Sequence, residues 1–316
     1  MSEDSRPAMG GYEGVVGPDE DGWRLDAFLA ASLGISRAGA RRALSRGTVT
    51  WRERPAGLDA KGAPIAEGDR IQVAREPDPS EAPPRPEPDL PLEIVATGDG
   101  WLALDKPAGT PVHPLQVDEG GSLANALVAR HPELIGVGEG GLRSGVVHRL
   151  DVDTSGVLLF AVQEEAWQRL REAFRSHKVE KTYLAIVAGR LEGEGELALQ
   201  LSVGRHRPAK VRVLSEDDAR PGRGRPTRTR WRSLAATDEA SLVEARPTTG
   251  FLHQIRASLA HLGHPILGDS RYDGPEHALA PRQMLHAQRV RWKDVEASCE
   301  PPADFAAALH GLGLES

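Results

Sequence analysis

Residues 146–161, VVHRLDVDTSGVLLFA, place His148, Arg149, Asp151 and Asp153 between two apolar runs, Val146-Val147 and Val157 to Ala161. Both runs read as buried strands. Asp151 follows Leu150 at the end of the first, where a carboxylate is partly desolvated and needs a counter-charge or a proton. Arg149, Arg256 and Lys106 are the candidate counter-charges. Asp153, Thr154 and Ser155 have a plainer reading as a turn whose side-chain oxygens bond nearby amides, and an isolated Asp there would be structural. Three other chemistries fail on spacing. HRLD is close to the kinase HRD loop, but no glycine-rich nucleotide loop precedes it and no DFG follows. His253, His261 and His264 lack the i, i+4 pairing and the ligand spacings of a zinc site. Ser155 lies outside a GxSxG elbow, so a serine hydrolase is excluded.

Several elements must position this charged turn. WLALDKPAGTPVHP (101–114) reads as a strand entering a loop stiffened by three prolines, with Lys106 and His113 held on it. Trp167, Leu170 and Phe174 have helical spacing in an amphipathic segment. KTYLAIVAG (181–189) alternates as a strand with Tyr183, Ala185 and Val187 on one face. A helix is predicted from His253 to Leu262, ended by Gly263 and Pro265. The segment 204–232 carries ten basic residues against three acids around a glycine-proline break, the pattern of a basic hairpin or flap.

The chain has 316 residues, 39% hydrophobic and 27% charged, enough for two soluble domains. Its one cysteine, Cys299, excludes internal disulfides and thiolate zinc clusters. No stretch has the length and apolarity to span a bilayer and the N-terminus has no signal pattern, so a cytoplasmic protein with no membrane partner is expected. The net charge of -7 argues against nucleic acid until its distribution is considered. Residues 1–21 carry six acids and one base, residues 76–93 six acids and Arg85, but residues 22–75 carry ten bases and five acids. The expected organisation is an unstructured acidic tail over 1–21, a basic module over 22–75, a proline-rich acidic linker over 76–91 and a large domain over 92–316. In the module, Leu25, Phe28 and Leu29 lie on one helix face. Ser36 caps a second helix, Arg37 to Arg46, which is followed by strands at Thr48–Trp51 and Arg70–Val73. Its arginines Arg37, Arg41, Arg42 and Arg46 suit a phosphate backbone as well as a solvated surface.

The order RLDAFLA, SRAGARRALSRGTVTW, EGDRIQV resembles the alpha-L RNA-binding module first described in a ribosomal small-subunit protein, with Arg52-Glu53-Arg54 where an asparagine-glycine turn is usual. In the large domain, HRLDVDTSG resembles the signature of the RluA-type RNA pseudouridine synthases. DKPAGTPVHP, KTYLAIVAG, HQIR with LAHLGHPILGD, and LHA (285–287) follow in that family's order, so the likeness extends from residue 22 to about 295. It implies an α+β protein, a mixed and mostly antiparallel sheet preceded by the small module, that isomerises uridine in RNA without cofactor or metal. Asp151 is then the catalytic carboxylate near the ribose C1′. Tyr183 stacks on the uracil and is a candidate to remove the C5 proton, and Arg256 keeps Asp151 ionised. Arg149 fills the space of the flipped base, and His148, Lys106, Arg37, Arg41, Arg42 and Arg46 contact RNA. A monomer acting on large-subunit ribosomal RNA is expected, with tRNA as the second substrate. The rival readings are a non-catalytic ribosome-assembly factor and a uracil-releasing glycosidase. One departure is Phe251-Leu252 before HQIR, where the family usually carries polar residues.

Overall fold

The computed structural model describes residues 12–33, 37–45, 47–74, 82–206, 209–215 and 224–315. The chain divides into two compact units, Met1–Pro79 and Ser80–Ser316. In the first, β1 (Tyr12–Val15) is followed by α1 (Leu25–Ser32), α2 (Arg37–Ser45), β2 (Val49–Trp51), β3 (Arg54–Ala56) and β4 (Arg70–Val73). The strands form an antiparallel sheet in the order β1-β4-β2-β3. Leu25, Phe28 and Leu29 bury one face of α1 against Ala40, Leu44, Val49 and Ile71. Ser36 and Arg46 lie outside the described residues.

Two expectations about segment boundaries need correction. The acidic stretch 1–21 is not a tail throughout: Tyr12–Val15 pairs with Arg70–Val73, and Val16 is buried with its amide bonded to the Asp69 carbonyl at 2.9 Å. Alternating Tyr12, Gly14 and Val16 suffice for an edge strand, which the six surrounding acids obscure. The proline-rich stretch also packs against its own unit from residue 82 onward. Glu87 N donates to Asn125 O (3.0 Å), Asn125 Nδ2 donates to Arg85 O (2.8 Å), and Arg130 Nη2 donates to Pro88 O and Leu90 O (3.0 and 2.6 Å). Proline-rich backbone lacks donors but keeps its carbonyls, and Asn125 and Arg130 on a neighbouring helix use them.

The second unit comprises β5 (Glu93–Gly98), β6 (Trp101–Lys106), α3 (Leu123–Arg130), β7 (Ser155–Ala161), α4 (Glu164–Arg175), β8 (Glu180–Ala188), β9 (Glu194–His206), β10 (Ala209–Val213), β11 (Arg225–Ala236), β12 (Ala240–Pro247), α5 (Gln254–His261), β13 (Leu285–Trp292), β14 (Val295–Ser298) and α6 (Ala303–Gly311). Nine strands follow the order β10-β9-β11-β12-β8-β13-β7-β6-β5, and β14 pairs with β13. Among the described residues only β13 and β7 run parallel. The α+β architecture with a mostly antiparallel sheet is thus the one expected. All seven residues of β7 are buried because helices cover both its faces. Val157 and Leu159 pack with Ala166 and Leu170 of α4, while Leu158 and Phe160 pack with Leu123 and Leu127 of α3. Val146-Val147 does not extend into a strand and makes a single bridge, Val146 to Phe160. Among the described residues no helix is long and apolar enough to cross a membrane.

Candidate active site

One row of strand partners crosses the sheet at the head of β7. Lys106 pairs with Gly156, Gly156 with Ala287, Ala287 with Tyr183, and Tyr183 with Ala245. Gly156 has φ 110°, and a Cβ there would lie 2.2 Å from the Ala287 carbonyl oxygen, so only glycine lets β7 meet β13. The charged turn 148–154 therefore enters the sheet two strands from Tyr183.

The turn is held from several sides. Lys106 is fully buried and donates to Val152 O (2.6 Å) and Pro107 O (2.8 Å), and Gly109 N donates to Val152 O (2.9 Å). Arg282 Nη1 donates to Asp153 O (2.9 Å) while its Nε and Nη2 fork Asp304 (2.7 and 3.0 Å). Gln283 Nε2 donates to Thr154 Oγ1 (2.9 Å), and Ser155 Oγ lies 3.0 Å from His286 Nδ1. Sequence reasoning missed Arg282 and Gln283, which sit in a loop with no pattern of their own.

Asp151 is a quarter exposed, and its Oδ2 accepts from Arg256 Nη1 at 2.8 Å. Arg256 is buried and commits its other edge to Asp269, also buried, through Nε and Nη2, both at 2.7 Å. Burial opposes the charge on Arg256, yet the bonds and attraction to Asp269, and then to Asp151, raise its pKa above the ordinary arginine value. Asp269 was not singled out from sequence, although it closes the HPILGD segment. His253 Nε2 stands 3.9 Å from Asp151 Oδ2, and its Nδ1 lies 2.9 Å from the Tyr272 hydroxyl. Burial, ahead of the neighbouring charges, lowers the pKa of His253. Tyr183 is half-buried, and desolvation followed by the charge of Asp151 pushes its hydroxyl pKa above the usual value. At neutral pH it is a phenol.

Two predicted RNA contacts are corrected by these positions. Lys106 is sealed behind the turn, where burial lowers its pKa to about 8, and it binds two carbonyls in place of phosphate. His148 stacks on Phe174 with ring centroids 4.5 Å apart, and its Nε2 accepts from Leu159 N at 3.1 Å. Burial, then Lys181 and Arg171, takes its pKa to about 3, so it is neutral and fixes the turn to β7 and α4. Arg149 is exposed with no hydrogen-bond or ion-pair partner among the described residues. In the first unit Arg37 is exposed, and Arg41 bonds Asp26 at 3.0 Å. Asp26 is buried and is shared with Arg24 at 3.1 Å. For Arg42 only the backbone, within α2, is described. Phe251 packs against Leu201, Val211, Ala257 and Tyr272, so the apolar departure before HQIR joins a small core under β9 and β10.

A family model described as RNA pseudouridylate synthase matches residues 100–261. A protein of Chloroflexus aurantiacus named "Uncharacterized RNA pseudouridine synthase" is 36% identical over 318 residues, covering 94% of this chain and 92% of that one. The "Ribosomal large subunit pseudouridine synthase D" of Zymomonas mobilis is 33% identical over 305 residues, 90% of this chain and 92% of its own. Among solved structures, human RNA pseudouridylate synthase domain containing 4 is similar with a TM-score of 0.57 at 24% identity, over 71% of this chain and 94% of that one, a likeness of fold.

Proposed function

Since the chain belongs to the RNA pseudouridylate synthase family, we propose that it isomerises uridine in large-subunit ribosomal RNA, with Asp151 as the catalytic carboxylate. The observation that carries the assignment is the division of labour at that residue. Oδ2 is held by a buried, doubly bonded arginine, while Oδ1 has no protein partner among the described residues. A carboxylate gripped at one oxygen presents the other to a substrate in fixed geometry. In this reading the uridine leaves the stack and comes to lie beside Tyr183 and Asp151. Asp151 acts at C1′ as the N1–C1′ bond breaks, the freed uracil turns, C5 bonds to C1′ and gives up its proton, and N1 gains one. Product and substrate are isomers, so the reaction requires no oxidant and no group donor. The neutral phenol of Tyr183 supports stacking on the base over a resting role as proton acceptor. Arg149, exposed and without a partner among the described residues, is suited to the space the base vacates. Several of the relatives are named for the large ribosomal subunit, which supports the choice of RNA.

Pseudouridine mapping of total RNA from cells with and without this protein tests the reading. A site in large-subunit rRNA should vanish on deletion, return with the wild-type protein and stay absent with Asp151→Asn. Loss of a tRNA site alone would reassign the substrate, and full rescue by Asp151→Asn would remove Asp151 from the chemistry.

A further inference from the structure

We propose that Tyr272 is a positioning residue that ties the β9–β10 hairpin to Asp151 through His253, so that docking of the hairpin sets the orientation of the catalytic carboxylate. The proposal rests on the pseudouridine synthase reading above. Tyr272 ends a short 3-10 turn, Ser270–Tyr272, and is 4% exposed. Its hydroxyl oxygen accepts from Val211 N in β10 at 2.8 Å, which leaves its own proton to donate. The acceptor within reach is His253 Nδ1 at 2.9 Å. An imidazole that accepts at Nδ1 must, when neutral, carry its proton on Nε2, and that is the nitrogen facing Asp151 Oδ2 at 3.9 Å. The gap is longer than a hydrogen bond, and a shift of about 1 Å would close it. The Nε2–H would then grip the same oxygen as Arg256 and leave Oδ1 to the substrate.

Three further observations fasten the hairpin to this chain of contacts. Arg271 Nη1, in the same turn, donates to Ala209 O at 3.0 Å, and Lys210 Nζ lies 5.7 Å from the Tyr272 ring centroid. Val211 and Leu201 of the hairpin pack with Tyr272 and with Ala257 of α5, the helix that carries Arg256. His253 itself adopts φ 50° and ψ 24° at the N-cap of α5, a left-handed conformation uncommon outside glycine, and its side chain does not cap the helix. The ring is held toward Tyr272 and Asp151 at the expense of the usual N-cap role. The hairpin also exposes Lys210 and Arg212, cations suited to an RNA backbone.

The test uses Tyr272→Phe, which keeps the ring and removes only the hydroxyl. In the full-length protein without RNA, 15N NMR of the His253 ring should show the Nε2–H form in the wild type and a mixture of tautomers in Tyr272→Phe. A wild-type ring protonated on Nδ1 overturns the proposal whether or not the protein modifies RNA. With an unmodified large-subunit rRNA transcript, Tyr272→Phe should lower the single-turnover rate constant at saturating RNA about tenfold, as removal of one aligning hydrogen bond would. Its RNA Kd should stay within about twofold of wild type. Adding His253→Gln should recover most of the rate, because the carboxamide N–H reaches the Nε2 position with no tautomer to be set. An unchanged rate in Tyr272→Phe, or a fall that His253→Gln leaves uncorrected, reduces Tyr272 to packing. Absence of pseudouridine with the wild-type protein would count against the substrate reading alone, since the ring tautomer still decides the positioning role.

Discussion

Arg256 has two carboxylate partners in very different surroundings. Asp151 is a quarter exposed, whereas the Asp269 side chain is 1% exposed and meets the guanidinium along its two-pronged edge. Removing the cation leaves Asp151 in reach of water but strands Asp269, and a buried charge without its partner costs about 3–5 kcal/mol. Arg256→Leu is therefore expected to lower the urea midpoint sharply as well as to stop turnover. Arg256→Leu with Asp269→Leu should regain much of the stability and none of the activity. Recovery of both would mean that Arg256 serves only the fold. Acid linkage is a second residue-scale consequence. Burial takes His113 to about 4, and both of its ring nitrogens are buried without a hydrogen bond. Between pH 6.5 and 4 the unfolded chain binds a proton at this site that the folded chain refuses, so stability falls as pH falls through that window. His113→Gln should flatten the slope of unfolding free energy against pH by about 1.4 kcal/mol per pH unit there, measured by urea titration at several pH values. An unaltered slope would show that His113 protonates freely in the fold.

At the scale of elements, the site depends on register. Gly156 stands where β7 and β13 meet in parallel, and the same row continues to Tyr183. Gly156→Ala would drive a Cβ to 2.2 Å from the Ala287 carbonyl at a φ of 110°. Such a clash of backbone on backbone must spread the strands, so the variant should lose activity and at least about 2 kcal/mol of stability. Near-normal turnover by Gly156→Ala would mean that the row can slip without harm to the site. The elements themselves were legible: β6, β7, β8 and α4 announce themselves through apolar runs, alternation and helical spacing. Their order in the sheet was not, because β12–β8–β13–β7 pairing joins segments far apart in sequence. The same limit explains the misread cations. Lys106 and His148 look like loop charges on paper, but the groups that bury them come from elsewhere: the Val152 carbonyl for one, Phe174 and β7 for the other. Asp151, Tyr183 and Arg256 were found by family likeness, whereas Asp269 and Tyr272 carry chemistry visible only once the chain is folded. The β2–β3 turn is a third case. Arg52 and Glu53 both have positive φ (52° and 62°) where glycine or asparagine is expected, and the Arg52 guanidinium forks Asp69 at 2.7 and 2.9 Å. Glu53→Gly should stabilise the first unit by about 1 kcal/mol by relieving that backbone.

For the whole molecule, the charge balance and the two-unit division decide where the chain can be cut. The net charge of -7 hides a basic segment, residues 22–75, and residues 82–91 belong by their hydrogen bonds to the second unit. A protein starting at Ser80 keeps those bonds; one starting at Leu92 lacks four hydrogen bonds to Asn125 and Arg130. At about 0.5–1.5 kcal/mol each, their removal should lower the melting temperature by several degrees relative to the Ser80 form. The Ser80 protein should nevertheless bind RNA less tightly than the full chain and with a weaker dependence on salt, because each phosphate left without its cation reduces the slope of log affinity against log salt by about 0.7–0.9. Arg41 is already neutralised in part by Asp26, so exposed Arg37 is the cation expected to count most. Arg37→Ala in the full chain should accordingly reproduce about one phosphate's share of the change. If deletion to Ser80 and Arg37→Ala both leave the salt slope at its full-length value, the first unit does not touch the RNA backbone, and affinity must come from the second unit alone.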